Sequence, residues 1–276
     1  MQIVTLLSDF GSGSPYPAQM KAAVASVCDA TFIDISHDVR RHDVRMGAYL
    51  LASVASRTPA GTVHLGVVDP GVGTARRPLI VIAGGQYFVG PDNGLLLPAA
   101  KRLGRPRGYE ITAPEILQAG VSTTFHGRDI FAPAAGRLAR GMPADVLGRP
   151  AGKWMDLEFG TGRRDGGVIS GEVIYVDAFG NLITNIPVSL LNWERAPMTV
   201  TVRRRSFRAA VGRTYGDLER GIVGVVPGSD GMLEIALRDG DAAGRTGASA
   251  GAGVVIRLQQ DRVQPGKVPQ TRRRRE

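Results

Sequence analysis

The chain is organised around the segment 66–77, which reads Gly66-Val67-Val68-Asp69-Pro70-Gly71-Val72-Gly73-Thr74-Ala75-Arg76-Arg77. The largely apolar run 62–68 predicts a buried strand, which ends where Pro70 removes a backbone donor and Gly71 admits unusual backbone angles. Asp69 is therefore expected at the carboxyl end of this strand, where open α/β sheets bind ligands. A turn before the next apolar run would bring the Arg76 guanidinium back to Asp69. The alternative is a tight connection that carries a surface ion pair.

Strand-like runs and helical patterns alternate in the first half of the chain. Strands are predicted at 2–7, 31–35 and 62–68, and helices are predicted between them at 17–27 and 44–56. This alternation is typical of α/β units with parallel strands. Further along, we predict strands at 78–83 and 86–89 and helices at 95–103 and 130–140, while 105–120 receives no assignment. Residues 1–147 are thus predicted to form an α/β N-terminal domain with a central, mainly parallel sheet.

The pattern changes after residues 148–167, which are rich in Gly, Arg and Asp and are predicted to be a linker. Short strands without long helical patterns follow, at 168–176, 181–186, 198–202, 206–211, 222–226, 232–237 and 253–258. They predict a smaller all-β, barrel-like C-terminal domain over 168–260. The arginine-rich residues 261–276 are predicted to be a disordered basic tail, and we favour a solvated tail over one that contacts nucleic acid or a membrane surface.

The amino-acid composition excludes several classes of protein. The chain has 276 residues, 43% hydrophobic and 21% charged, which suits a globular protein with room for two domains. The single cysteine, Cys28, excludes an internal disulfide and a cysteine-based zinc site. The net charge of +9 comes partly from the tail, and no nucleic-acid-binding motif accompanies it. No apolar run approaches the ~20 residues of a membrane span and no leader precedes the first strand, so we expect a cytoplasmic protein without membrane contact.

Several polar residues lie where chemistry is expected. Asp9 follows the first strand, where a carboxylate can accept both hydrogen bonds of a ribose diol, although a loop-stabilising role is the alternative. His126 precedes a predicted helix and is the best general acid or base among the histidines, which have no metal-ligand spacing. Turn motifs at 177–181 and 227–231, the second followed by Glu234, are further candidates. Ordinary turn chemistry is the alternative for both.

Taken together, these motifs resemble the S-adenosyl-L-methionine (SAM) hydroxide adenosyltransferases, SAM hydrolases related to the SAM-dependent fluorinase and chlorinase. The match covers about residues 2–258. It is carried by Ser8-Asp9-Phe10-Gly11, Gln19-Met20-Lys21, Ile33-Asp34-Ile35-Ser36-His37, Val68-Asp69-Pro70-Gly71-Val72-Gly73, Gly90-Pro91-Asp92-Asn93-Gly94, Phe125-His126-Gly127-Arg128-Asp129, Asp177-Ala178-Phe179-Gly180-Asn181-Leu182-Ile183-Thr184-Asn185-Ile186 and Gly228-Ser229-Asp230-Gly231.

The resemblance implies hydrolysis of SAM to adenosine and L-methionine. We expect no cofactor or metal, because the neutral leaving group requires no Lewis acid. The resemblance also implies a homotrimer whose active sites lie between the N-terminal domain of one subunit and the C-terminal domain of its neighbour. The family's catalytic Asp, Arg and His fall on Asp69, Arg76 and His126. We expect Asp69 and His126 to bind a water or hydroxide that attacks C5′, Arg76 to fix Asp69, and His126 to accept the proton.

The resemblance also assigns substrate-binding residues. The ribose-binding Asp falls on Asp9 and the adenine-binding Asn on Asn181, while Asp177 and Ser229 fall on positions that face the methionine portion. Glu234 is a further substrate-binding candidate.

Two departures from the family pattern stand out. Ser14 replaces an acidic residue near the expected methionine amine, and 238–242 replaces an Asn-rich turn. Two alternatives remain. One is a halide-dependent SAM adenosyltransferase, and the other is a non-catalytic SAM- or adenosine-binding protein. Because Asp69 is present and the halogenases lack that Asp, hydrolysis is the favoured interpretation.

Overall fold

A computed structural model describes residues 2–117, 120–193 and 198–258, and the chain divides into two units between Gly160 and Thr161. The strands of the first unit are β1 (Gln2–Ser8), β2 (Ala30–Ser36), β3 (Val63–Val67), β4 (Pro78–Ala83), β5 (Gln86–Pro91), β6 (Arg107–Ile111) and β7 (Gly148–Pro150). Its helices are α1 (Tyr16–Ala25), α2 (Val44–Ala55), α3 (Leu97–Leu103), α4 (Pro114–Leu117), α5 (Ala132–Ala139) and α6 (Ala144–Leu147), and a π-helical turn at Gly127–Phe131 leads into α5.

The strands of the first unit form one sheet in the order β2-β1-β3-β5-β4-β6-β7. The pairs β1–β2, β1–β3 and β3–β5 are parallel, and the remaining pairs are antiparallel. The predicted α/β fold is confirmed, with a sheet that is parallel on one side and antiparallel on the other. Since β1, β2 and β3 are parallel neighbours, the loops after them all leave the same edge of the sheet.

Both faces of this sheet are covered, as the alternation of side chains along a strand requires. In β1, Val4 and Leu6 pack with Met20 and Phe131 on one face. Leu7 points to the other face and packs with Leu51 of α2. All of these side chains are fully buried, so the loops at the sheet edge rest on a rigid support.

The structure adds detail where the sequence pattern was weak. Residues 105–120, which had no assignment, contain β6 and α4, and β6 pairs with β4 although it holds no apolar run. Residues 148–167, treated above as linker, contain β7 in the first sheet and the short strand β8 (Arg163–Asp165) of the second unit. Residues 261–276 lie outside the described part.

A buried histidine forms a closed polar network inside the first unit. His64 on β3 is fully buried; its Nδ1 lies 2.7 Å from the Thr5 hydroxyl and its Nε2 lies 2.7 Å from Gln86 Oε1. Because an amide oxygen only accepts, Nε2 carries the hydrogen and the Thr5 hydroxyl donates to Nδ1. Burial lowers the pKa of His64 to about 4. The ring also stacks on Phe88, so a neutral imidazole is part of the core.

This network predicts an acid-sensitive core. The folded-state pKa of His64 lies below the usual unfolded value near ~6.5, so its contribution to stability is complete above pH ~6.5 and is lost as the pH falls toward ~4. The loss should reach about 3 kcal/mol. Urea unfolding between pH 7 and pH 4 measures it. The variant His64→Gln should be less stable overall but should lose this pH dependence, and parallel curves for the two proteins would contradict the assignment.

The second unit is an all-β barrel. Besides β8, its strands are β9 (Val168–Val176), β10 (Leu182–Pro187), β11 (Met198–Val202), β12 (Arg205–Val211), β13 (Val223–Pro227), β14 (Met232–Leu237) and β15 (Gly253–Leu258), and a short helix, α7, spans Ala242–Thr246. The strand order is β10-β14-β13-β12-β11-β15-β9, and pairing of β9 with β10 closes the ring. The predicted barrel-like domain is thus confirmed as a closed barrel of seven strands, with β8 added beside β9. No helix among the residues described here is both long and apolar enough to cross a bilayer.

Candidate active site

Asp69, Arg76 and His126 are in direct contact in the first unit. Arg76 Nε lies 3.0 Å from each oxygen of the Asp69 carboxylate, and its Nη2 lies 2.5 Å from Oδ2. The same Nη2 lies 2.7 Å from Nδ1 of His126. The side chains of Arg76 and Asp69 are only 9% and 5% exposed, so water screens this ion pair weakly. Two residues of one loop and a third, 50 positions further along the chain from Arg76, thus form one continuous hydrogen-bonded group.

Local structure explains how this group assembles. Asp69 lies two residues beyond the end of β3, and the Asn93 amide donates to the backbone carbonyl of Val68 beside it. The loop then passes close to the segment before His126, because a Cβ added at Gly73 would lie 2.9 Å from the carbonyl oxygen of Thr123. Gly73 has φ +77°, which favours glycine in any case.

The π-helical turn sets the position of His126. This residue directly precedes Gly127–Phe131, and the ring of Phe131 lies under the guanidinium of Arg76, with Cζ 5.1 Å from the ring centroid. Such turns are rare and are frequently found at functional sites. Here the turn holds the imidazole against one part of Arg76 while its last residue supports the guanidinium face.

The contact with Arg76 fixes the protonation of His126. A guanidinium has donors only, so Arg76 donates to Nδ1, and the neutral imidazole carries its hydrogen on Nε2. Burial, followed by the charge of Arg76, lowers the pKa of His126 below its usual value. His126 is therefore neutral at neutral pH and presents an N–H. The proton-accepting role expected of His126 would require Nδ1 to be released from Arg76.

Asp9 lies in the same cavity as this group. The cavity has a volume of about 330 Å³ and is lined by Asp9, Phe10, Tyr16, Arg41, His42, Val67, Asp69, Val72, Thr124, Phe125, His126 and Gly127. One oxygen of Asp9 accepts a hydrogen bond from the backbone N–H of His42 at 2.9 Å. Four of the predicted site residues, Asp9, Asp69, Arg76 and His126, are thus brought together at the carboxyl edge of the parallel strands.

A chain of three side chains supports the Asp9 loop, with Ser8 and His37 buried and Asp34 exposed. Ser8 Oγ lies 2.8 Å from His37 Nδ1, and His37 Nε2 lies 3.2 Å from Asp34 Oδ1. The backbone carbonyl of His37 accepts from Gly11, on the far side of Asp9. Ser8 is fully buried, so this Ser-His-Asp arrangement cannot reach a ligand and instead holds the loop in place.

Sequence reasoning missed three aromatic residues of the cavity. Phe10, Tyr16 and Phe125 meet edge to face, with ring centroids between 5.1 and 5.8 Å apart. Edge-to-face packing favours a rigid apolar wall. The signal was present, because Phe10 and Phe125 are adjacent to Asp9 and His126 in the motifs quoted above.

The loop after β2 contributes Arg41 and His42, which the sequence reasoning also missed. His42 has φ +63°, a left-handed conformation that a side chain adopts only at a cost. This conformation directs its N–H to Asp9. Histidine is among the non-glycine residues enriched at positive φ, but this preference is too weak to indicate the conformation from the sequence.

Asp177 and Asn181 lie in a separate cavity, in the second unit. Asp177 Oδ1 accepts from the backbone N–H groups of Phe179 and Asn181, and its Oδ2 accepts from the Asn181 amide at 2.9 Å. These bonds hold the orientation of the Asn181 amide, and its oxygen accepts no side-chain hydrogen bond from the described residues. The cavity, of about 540 Å³, is also lined by the exposed ring of Phe179 and by Tyr215.

Of the other two predicted site residues in this unit, Glu234 is buried and Ser229 is exposed. Glu234 is buried, and its carboxylate accepts from the Tyr215 hydroxyl at 2.5 Å. Burial raises the pKa of the Glu234 carboxyl, and the nearby charge of Asp177 adds to this effect. Ser229 lies exposed in the turn between β13 and β14.

The two departures noted in the sequence have structural roles. The Ser14 hydroxyl donates to the backbone carbonyl of Gly11 at 3.0 Å, so it closes the Asp9 loop on itself. Asp241 caps α7 by accepting from the backbone of Gly244 at 2.8 Å. A Cβ at Gly180 would lie 2.1 Å from this carboxylate, so the 238–242 turn packs closely on the Asn181 loop.

Comparisons with known proteins agree with this architecture. The family model of the SAM hydroxide adenosyltransferase N-terminal domain matches residues 4–148, and that of the C-terminal domain matches residues 171–255. The crystal structure of an uncharacterised conserved protein from Thermotoga maritima superposes with a TM-score of 0.86 at 36% identity, over 92% of this chain and 99% of that one.

Curated relatives point in the same direction. A protein of Salinispora tropica named (R)-S-adenosyl-L-methionine hydrolase is 41% identical over 90% of this chain and 95% of its own length. A fluorinase of Actinoplanes is 28% identical over 67% of this chain and 71% of its own length. With both domain models matched in order over most of its length, the chain belongs to the SAM hydroxide adenosyltransferase family.

Proposed function

We propose that this protein hydrolyses SAM to adenosine and L-methionine. The observation that carries the proposal is the contact of Arg76 with Asp69 and His126, which line one cavity together with Asp9. It is supported by the relative from Salinispora tropica, which is named a SAM hydrolase.

The reaction in this proposal is an in-line displacement at C5′. An oxygen nucleophile attacks C5′ as the C5′–S bond breaks, and the bonding pair passes to sulfur to give the neutral thioether of methionine. The leaving group is therefore good and needs no Lewis acid, so the proposal includes no metal or cofactor. The protein's task is to place the nucleophile and take its proton.

Asp69 is the proton acceptor in this proposal. Among the described residues, its Oδ1 accepts a side-chain hydrogen bond from Arg76 Nε alone, which leaves a lone pair for a water molecule. His126 presents Nε2–H and would donate to the same water, orienting its lone pair toward C5′. Arg76 holds the carboxylate and the imidazole in one geometry, since its Nη2 bridges them. This division of roles replaces the sequence-based expectation that His126 takes the proton.

Asp9 is proposed to bind the ribose diol through its carboxylate oxygens. In Asp9→Ala, we expect the dissociation constant for adenosine to rise on the order of 10–100-fold, since charged hydrogen bonds are lost. Isothermal titration with adenosine measures this. The matched control is Asp38→Ala, because Asp38 supports the neighbouring loop by accepting from Ser12 and does not line the cavity. Equal losses in the two variants would show that Asp9 only supports the loop.

The proposal also includes a cytoplasmic homotrimer in which Asp177, Asn181, Ser229 and Glu234 of a neighbouring subunit complete the substrate site. Two cavities that each hold only part of the predicted residues support it. Mixing Asp69→Asn subunits with Asn181→Ala subunits tests this arrangement. In a mixed trimer, some sites would combine the intact Asp69 of one subunit with the intact Asn181 of its neighbour, and these sites should be active. Light scattering gives the subunit number, and cell fractionation tests the location.

Chromatography of reactions with SAM tests the function itself. Hydrolysis predicts equimolar adenosine and methionine, with the same rate with or without chloride and after treatment with EDTA. Formation of 5′-chloro-5′-deoxyadenosine in chloride would favour the halide-dependent transferase instead. Tight SAM binding without any product would favour the binding protein.

A further inference from the structure

Arg41 is a cation without an assigned role at the cavity. Its side chain is exposed and lines the same cavity as Asp9, Asp69 and His126. Within the residues that the structure describes, it has no ion pair or hydrogen bond. Its neighbour Arg40 differs, because Arg40 Nη2 pairs with Asp43 at 3.0 Å and does not line the cavity.

The order of the strands places Arg41 relative to the other charged groups. The loops after β2, β1 and β3 carry Arg41, Asp9 and Asp69, and these strands are neighbours in the order β2-β1-β3. Adjacent strands lie roughly 4.8 Å apart. Asp9 therefore lies between the Arg41 loop and the Asp69 group along the sheet edge, and the bond from His42 to Asp9 ties the Arg41 loop to it.

This order has a stereochemical consequence for the reaction proposed above. In-line displacement requires nucleophile, carbon and leaving group to be collinear. If the ribose is held by Asp9 and the nucleophile lies on the Asp69 side, sulfur departs on the opposite side, toward the Arg41 loop. The amino-acid portion of SAM, attached to that sulfur, carries one carboxylate.

We propose that Arg41 determines substrate specificity by binding the carboxylate of the amino-acid portion of SAM. A guanidinium matches a carboxylate through two parallel hydrogen bonds, and no competing acid holds Arg41 in the described part of the chain. The proposal rests on the proposed function, because it requires SAM to bind with its ribose at Asp9. It makes Arg41 a binding residue with no part in the chemical step.

The experiment compares SAM with decarboxylated SAM, which lacks only this carboxylate. In Arg41→Gln, we expect KM for SAM to rise about tenfold while kcat stays near that of the wild type, because the lost bond is made equally in ground and transition states. The decarboxylated substrate should be affected little, so the preference of the wild type for SAM should largely disappear. Arg41→Lys should recover part of it. Arg40→Gln is the matched control and should keep the wild-type preference.

Each other result contradicts the proposal in a recognisable way. Equal losses for the two substrates in Arg41→Gln would show that Arg41 acts through the fold or through a neighbouring subunit. A wild type that treats the two substrates alike would show that the carboxylate is not bound. If the wild type makes no adenosine from either substrate, the proposed function fails, and dissociation constants for the two compounds, measured by calorimetry, still decide the role of Arg41.

Discussion

Asp69→Asn is expected to lower kcat for SAM hydrolysis by about 10²–10⁴-fold while the affinity for SAM changes little. Asparagine keeps the size of the side chain but is a far weaker base, and its amide nitrogen cannot accept a bond from Arg76. The nucleophile then lacks its proton acceptor. Single-turnover rates give the chemical step, and equilibrium binding gives the affinity.

The chain contains a matched control for this experiment. Asp92 forms the same type of pair with the next arginine: Arg77 Nε and Nη2 lie 3.0 and 2.6 Å from Asp92 Oδ2, and the Asp92 side chain is only 7% exposed. Asp92→Asn removes the buried negative charge that pairs with Arg77 of the same loop, so it should lower the free energy of unfolding. Its folded fraction should keep a kcat near that of the wild type. If Asp69→Asn behaves like Asp92→Asn, Asp69 is a structural ion-pair partner only.

Replacing His126 by alanine is expected to lower kcat by a similar factor, about 10²–10⁴-fold, and His126→Asn is the informative companion. The asparagine oxygen can accept from Arg76 as Nδ1 does, but Asn does not titrate. If the role of His126 is to hold Arg76 and donate to the nucleophile, His126→Asn should retain much more activity than His126→Ala. Equal losses would instead assign the proton to His126.

The pH dependence of kcat follows from the same contact. Because burial and Arg76 lower the pKa of His126, the neutral form persists below pH ~6.5, and the wild-type rate should fall only at more acidic pH. Protonation at Nδ1 would set two donors against each other and break the contact with Arg76. His126→Asn should lack this part of the acid decline. An unchanged profile in His126→Asn would assign the decline to another group.

The sequence predicts most of the fold because its elements carry strong local signals. The strands 168–176, 198–202, 232–237 and 253–258 were predicted with the bounds that the structure gives them, since a Gly or Pro lies just before each run. β6 and the π-helical turn were missed for physical reasons. β6 is defined by its pairing with β4 rather than by its own residues, and a π turn has no period of its own.

The candidate site could be predicted only in part. Asp9 and Asp69 follow strands, and a carboxylate at a strand end is visible in a sequence. The contact between Arg76 and His126 depends on the close approach of two loops 50 residues apart, which only the resemblance suggested. Arg41 and His42 gave no signal, because the left-handed conformation of His42 is imposed by its tertiary hydrogen bond.

The closed barrel limits how copies of this chain can associate. Pairing of β9 with β10 satisfies the backbone groups that an open sheet would leave at its ends, and the added strand β8 is short, exposed and charged at each of its positions. Short charged edges are poor templates for strand addition. The second unit is therefore poorly suited to edge-to-edge polymerisation, and we expect an oligomer that uses it to be held mainly by side-chain contacts.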